Sequence, residues 1–132
     1  LKLYLQEKGY EIIDLGTNNF ERVDYPLLAE SLCKKITEKE VDYGIALCGT
    51  GIGMSIACNK VNGIICGKIS TIKEAKLCKE HNNCNVIAMS GKINKIKAKI
   101  MVTRFLKSKP IEEEPYITRN RQLKEIEERN SK

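Results

Sequence analysis

Apolar and polar positions repeat along this chain in two periods, and each change of period marks an element. Leu1, Leu3 and Leu5 stand among good helix formers that stop at Gly9, a natural C-terminal cap, so residues 1–8 read as the tail of a helix. Residues 10–15 form a short β-rich run closed by Gly16, and residues 18–24 are polar loop. Pro26 is in the first turn of a helix that extends to Lys39, with Leu28, Leu32 and Ile36 as its buried stripe. Apolar runs of strand length follow at 41–47, 64–69 and 85–89. Ser70-Thr71 cap a helix through Lys79 that turns Ala75 and Cys78 inward. Gly91 breaks the last run, and apolar positions 93, 96, 100 and 105 predict a long amphipathic helix over 93–106. Residues 110–115, with three glutamates, read as a linker, and 118–129 as a terminal helix.

Strand and helix thus alternate with short connections. That order implies right-handed crossovers and an α/β fold: a Rossmann-like three-layer α/β/α sandwich with a parallel sheet. In such sheets ligands sit outside the carboxyl ends of the strands. Residues 1–109 make the domain, and residues 110–132 a linker and helix suited to pack on a neighbouring subunit. A helix tail at Leu1 also calls for a strand before it, so about a dozen further residues are expected upstream.

The chemistry concentrates in residues 43–60. Ile45-Ala46-Leu47 ends in the thiol of Cys48, and Gly49-Thr50-Gly51-Ile52-Gly53 follows, leading into helix-like sequence. Glycine tolerates positive φ and lets backbone N–H groups converge on an anion, to which a helix N-terminus adds its positive end. A cysteine there has its pKa lowered and serves as thiolate nucleophile or base. Equally, Cys48 reads as a small hydrophobe closing a buried strand, and the stretch alone leaves both readings open.

Composition narrows the class. The chain has 132 residues, one domain's worth, and no apolar run approaches the length of a membrane span. Six cysteines lie inside predicted elements with no CxxC, and His81 is the only histidine, which argues against zinc and for reduced thiols in a cytoplasmic protein. The net charge of +6 is spread among glutamates with no basic-aromatic cluster. It fits an anionic small substrate rather than nucleic acid.

Arg22-Val23-Asp24-Tyr25-Pro26, His81-Asn82-Asn83 and Ser90-Gly91-Lys92 join the Cys48 loop in an order and spacing that is recognisable. The chain resembles the sugar-phosphate isomerase family that contains ribose-5-phosphate isomerase type B and the subunits of galactose-6-phosphate isomerase. The likeness runs from Leu1 to about Leu106. It implies a cofactor-free aldose–ketose isomerisation through an enediolate, without metal, in the pentose phosphate pathway. On this resemblance Cys48 moves the proton between C1 and C2, and Thr50 with the amides of Gly49, Gly51, Ile52 and Gly53 forms an anion hole. His81 opens the sugar ring, Asn82 binds substrate, and Tyr25 closes over the sugar. Lys92 and Arg119 contact the phosphate. The family's sites lie between two subunits, so a homodimer or dimer of dimers is expected, with Arg119 serving the partner's site.

The chain also departs from the family pattern. Lys92 replaces an arginine, keeping the charge but losing the bidentate fork. Glu113-Glu114-Pro115-Tyr116 replaces the usual Gly-Gly-Arg-His. An arginine usual after the isoleucine of Ile64-Ile65-Cys66 is absent, and the Asp-His pair of the family's first strand is expected upstream of Leu1. These departures bear on the phosphate grip more than on the chemistry. Three functions follow: a ribose 5-phosphate isomerase first, a hexose-phosphate isomerase or a subunit of one second, and a non-catalytic sugar-phosphate-binding protein third.

Overall fold

A computed structural model describes residues 1–16 and 24–131. The loop expected over 18–24 lies almost wholly outside the described residues, as do Arg22 and Val23. Three strands, β1 (Gly44–Cys48), β2 (Cys66–Lys68) and β3 (Val86–Ser90), form a parallel sheet in the order β1-β3-β2. The helices are α1 (Lys2–Glu7), α2 (Tyr25–Thr37), α3 (Ile52–Asn59), α4 (Ile72–Asn82), α5 (Lys95–Lys107) and α6 (Tyr116–Asn130).

β3 is the central strand, and Val86 to Met89 are buried on both faces, as a continuous apolar run in a parallel sheet requires. Ile87 and Met89 pack with Met101, Val102 and Phe105 of α5 and Leu5 of α1. Val86 and Ala88 pack on the other face with Ala29 and Cys33 of α2 and Met54 and Cys58 of α3. The predicted three-layer sandwich is therefore the observed one. All six cysteines are free thiols.

Polar groups fix the connections. Thr71 caps α4 as the sequence predicts, completing a capping box: Glu74 N–H donates to Thr71 Oγ1 at 3.0 Å, and Thr71 N–H donates to the Glu74 carboxylate at 3.1 Å. Asn59, the last residue of α3, grips β2 twice, accepting from Cys66 N–H at 2.8 Å and donating to Cys66 O at 2.9 Å. α3 is thereby tied to the start of β2 while its own start faces the end of β1.

The structure corrects four expectations. Residues 10–15 form no strand, and Tyr10 N–H donates back to Leu5 O at 3.1 Å; a β-rich run needs a neighbouring ladder to become one. The buried stripe of α2 centres on Ala29 and Cys33, small residues facing α3, with Leu28, Leu32 and Ile36 at its flanks. In α5 Phe105 is buried as expected, but its inward companions are Met101 and Val102, while Ile96 and Ile100 are exposed. In α4 Ala75 is buried and Cys78 packs against the core as expected, but Lys79, expected only as the helix end, is fully buried as well.

Lys79 is 1% exposed, and its Nζ has no hydrogen-bond partner among the described residues. The amine instead lies 3.5 Å from the ring centroid of Tyr43 and 4.4 Å from that of Phe105. Two aromatic faces thus take the place of a counter-ion. Among the described residues no helix is long and apolar enough to cross a membrane.

Candidate active site

β1 and β3 end side by side, with Cys48 opposite Ser90. The chain leaves β1 through Gly49 and Thr50 and turns into α3 at Gly51, whose φ is +84°. A Cβ on Gly51 would lie 2.9 Å from the backbone of Met89, so the turn presses directly on the central strand. The end of β3 answers with two hydrogen bonds, and a third braces Ser90 itself. Gly91 N–H donates to Cys48 O at 2.9 Å, Ser90 Oγ donates to Gly49 O at 2.7 Å, and Lys92 N–H donates to Ser90 Oγ at 3.1 Å. The Ser90-Gly91-Lys92 fragment is in this way laced to the glycine loop.

Cys48 is half-buried at the centre of this knot. Burial pushes its pKa up, but the amides of Met54, Gly51, Thr50 and Gly53 outweigh that cost and bring it below the ordinary thiol value. Gly51 N–H is 3.1 Å from the sulfur. The sequence reading aims these amides at ligand oxygens; in the structure Thr50, Gly51 and Gly53 turn theirs to the thiol. They favour the ionised form of the Cys48 sulfur over the neutral thiol.

Two further predicted residues surround the thiol loop. Thr50 is exposed, and its Oγ1 accepts from Ile52 N–H at 3.1 Å, which leaves the hydroxyl hydrogen free to donate outward. Tyr25, in the first turn of α2, lays its ring against Gly53, where a Cβ would come within 2.8 Å of the ring. Gly53 therefore has to be small for the tyrosine to sit there. Lys92 and Ile52 are exposed beside this group.

His81, Asn82 and Arg119 are elsewhere. α4 starts after β2, at the carboxyl edge of the sheet, and ends before β3, at the amino edge. His81 and Asn82 occupy its last turn. β3 alone, from Val86 to Ser90, separates the two edges by about 13 Å at ~3.3 Å per residue. One chain therefore does not bring His81 to its own Cys48.

What His81 meets is α6. Its ring stacks on Tyr116 with centroids 4.7 Å apart and planes at 18°. Asn120 Nδ2 donates to His81 O at 2.9 Å, and Asn82 Nδ2 donates to Asn120 Oδ1 at 3.4 Å. Arg119 lies between these contacts in sequence and is exposed. Glu114, which the sequence reading set against a phosphate, instead caps α6 through Thr118, accepting from its N–H at 2.8 Å and from its hydroxyl. Those two bonds hold the Glu114 carboxyl below the usual carboxylate range.

Sequence reasoning gave no role to Ser90, Tyr116 or Asn120. Ser90 carried a signal, being the polar end of an apolar run that pairs in register with β1. Tyr116 and Asn120, four residues apart on one helix face, carried none until α4 was seen beneath them. Among the described residues no group of three or more His, Cys, Asp and Glu side chains could hold a metal ion.

Comparison with known proteins gives consistent matches. The family model described as Ribose/Galactose Isomerase matches residues 1–126. A protein named galactose-6-phosphate isomerase subunit LacB, from Clostridium acetobutylicum, is 42% identical over 70% of this chain and 54% of its own length. Ribose-5-phosphate isomerase B of Escherichia coli is 41% identical over 78% of this chain and 70% of its own length. The solved structure of Clostridium thermocellum ribose-5-phosphate isomerase B superposes with a TM-score of 0.93 at 35% identity, covering 98% of this chain and 87% of that one. The matched segment thus spans from about half to about seven tenths of the two curated relatives. With this fold, and with a cysteine closing β1 above a glycine loop, the chain belongs to the ribose/galactose isomerase family.

Proposed function

We propose that this chain is a cofactor-free isomerase that interconverts ribose 5-phosphate and ribulose 5-phosphate, with Cys48 as the proton-transfer base. The supporting observation is the Cys48 thiol itself, half-buried at the end of β1 and held by four backbone amides that lower its pKa. The thiolate removes the proton from C2 of the opened aldose, leaving an enediolate; the hydroxyl proton on O2 passes to O1, and the thiol returns its proton to C1, giving the ketose. No atom is gained or lost, so no oxidant or reductant enters the balance. The free hydrogen of Thr50 stabilises the developing oxyanion, while the amides of Thr50, Gly51 and Gly53 serve the thiol and that of Ile52 fixes the Thr50 hydroxyl. Tyr25, whose ring rests on Gly53, covers the sugar.

The remaining parts come from a second copy. His81 stands at the sheet edge opposite its own Cys48, so a site holding both takes His81, Asn82 and Arg119 from a neighbouring subunit. His81 opens the furanose ring, Asn82 binds the sugar, and Arg119 with Lys92 holds the phosphate. The protein is on this reading a cytoplasmic homodimer of the pentose phosphate pathway, with its terminal segment, residues 110–132, reaching the neighbour's site. Exposed Ile117, Leu123 and Ile126 on α6 support that contact.

A hexose-phosphate substrate is the second reading. It is favoured by the relative named galactose-6-phosphate isomerase subunit and by the altered segment at residues 113–116. Turnover of purified protein on ribose 5-phosphate, ribulose 5-phosphate and galactose 6-phosphate decides between them. Pentose turnover supports the first reading and hexose turnover the second, while binding without turnover identifies a non-catalytic sugar-phosphate-binding protein.

A further inference from the structure

We propose that Tyr116 and Asn120 of α6 are positioning residues for the His81–Asn82 pair, fixing the plane of the imidazole and selecting which amide atom of Asn82 faces the sugar. The inference rests on the reading of His81 as the group that opens the ring and extends it to residues with no assigned role.

The last turn of a helix leaves its carbonyls without intrahelical donors. In α4 the His81 carbonyl obtains one from Asn120, at 2.9 Å. A backbone carbonyl only accepts, so the Asn120 atom facing it is Nδ2 and its other amide atom is Oδ1. Oδ1 faces Asn82 and only accepts, which makes Nδ2 of Asn82 the donor at 3.4 Å. Oδ1 of Asn82 is thereby left as the free atom, an acceptor for a sugar hydroxyl. The orientation of two amides follows from one carbonyl.

Tyr116 stands one turn before Asn120 on the same face of α6 and meets the imidazole face to face at 4.7 Å and 18°. Stacking covers a face of the ring and leaves its edge open, and both nitrogens lie on the edge. The ring loses rotational freedom but keeps the atoms that carry protons, which is what a proton shuttle to a sugar ring oxygen requires.

The platform is itself held at both ends. Glu114 caps its first turn at Thr118, and Ile111 N–H donates to Glu80 O at 2.9 Å just before it. At the far end Gly63 N–H donates to Glu127 Oε1 at 2.9 Å and Asn62 Nδ2 donates to Ser131 Oγ at 2.8 Å. α6 has no buried residue, so its seat on α4 depends on these polar and aromatic contacts rather than on core packing. Glu114 and Tyr116 belong to the segment that departs from the family pattern. That segment has exchanged a phosphate ligand for a support under the histidine.

His81 is the only histidine, so its imidazole C2 proton gives a single resolvable NMR resonance, readable without turnover. In the native protein and in Tyr116→Phe the ring current of the aromatic face shifts that resonance upfield. In Tyr116→Leu it moves to the position of an unstacked histidine. Kinetics supplies the second readout, because ribose 5-phosphate is a furanose that must open, whereas ribulose 5-phosphate has no such ring. Tyr116→Leu is expected to lower kcat on the aldose by about tenfold or more and on the ketose by less than about threefold, with Tyr116→Phe restoring both. Asn120→Leu is expected to raise KM more than it lowers kcat, through the released Asn82.

Equal losses in both directions, an unshifted native resonance, or failure of Tyr116→Phe to restore would overturn the proposal. His81→Ala separates it from the reading beneath it. If His81→Ala abolishes aldose turnover while Tyr116→Leu keeps it, the positioning role is wrong and the histidine's role stands. If His81→Ala turns over the aldose normally, both are wrong.

Discussion

The amide of Gly51 donates to the sulfur of Cys48 at 3.1 Å, and it can do so because Gly51 adopts φ +84° against the end of β3. A backbone turn that only glycine makes comfortably thus joins the Met54 amide in lowering the pKa of a side chain three residues away. The thiol's lowered pKa gives a pH dependence with a definite sign. On the proposal that the thiolate is the base, activity should be present above the folded-state pKa and lost as pH falls through it. The rate of alkylation by iodoacetamide, followed against pH by mass spectrometry of the Cys48 peptide, should reach half its maximum below the ~8.5 of an ordinary thiol. A midpoint at or above that value would remove the amides from the account.

The two glycines of the turn should separate stability from binding. Gly51→Ala carries the positive-φ cost of about 1–2 kcal/mol together with a 2.9 Å clash against Met89 backbone that cannot move aside. We expect a total loss of about 3 kcal/mol or more by urea denaturation. Gly53→Ala meets only the Tyr25 ring, at 2.8 Å. Its stability should change by less than about 1 kcal/mol while KM rises, because the ring is displaced.

Lys79 provides a test of the buried amine. Its Nζ lies 3.5 Å from the Tyr43 centroid with no hydrogen-bond partner among the described residues, so aromatic attraction of up to about 2 kcal/mol opposes the desolvation of an ammonium. Lys79→Met keeps the stem's packing and removes the charge, and the urea midpoint should hold or rise. Lys79→Ala opens a cavity beside Phe105 and should cost about 2–4 kcal/mol. A methionine variant as damaged as the alanine one would show that the aromatic box outweighs the desolvation.

A site built from two copies makes its own prediction. Cys48→Ala and His81→Ala should each be inactive, yet mixing them with subunit exchange should recover about a quarter of native activity, since half the dimers are mixed and each has one intact site. No recovery, from variants that light scattering shows to exchange, would place both residues in one subunit's site.

Much of this was legible in the sequence because it depends on local chemistry. The strands ending at Cys48 and Ser90 are apolar runs stopped by glycine, and the Thr71–Glu74 capping box is written in four consecutive residues. What was not legible depends on elements meeting. Residues 10–15 carry strand residues but no ladder. The inward face of α5 could not be chosen while Ile96 and Ile100 looked as apolar as Met101 and Val102. Nothing in the sequence marked Lys79 as buried, because the two aromatic rings around it come from other elements. In the site, the glycine spacing announced converging amides, and the structure aims that of Gly51 at the Cys48 sulfur. The stack of His81 on Tyr116 exists only because α6 crosses the end of α4.

The most direct test of Cys48 as the proton-transfer base is the turnover of ribose 5-phosphate by Cys48→Ala, measured on protein whose circular dichroism and urea midpoint match the native ones. The account predicts a fall in kcat of about 10²–10⁴-fold, the contribution of a positioned base, with KM little changed. Turnover within about twofold of native would contradict it and leave the thiol as no more than the end of a strand.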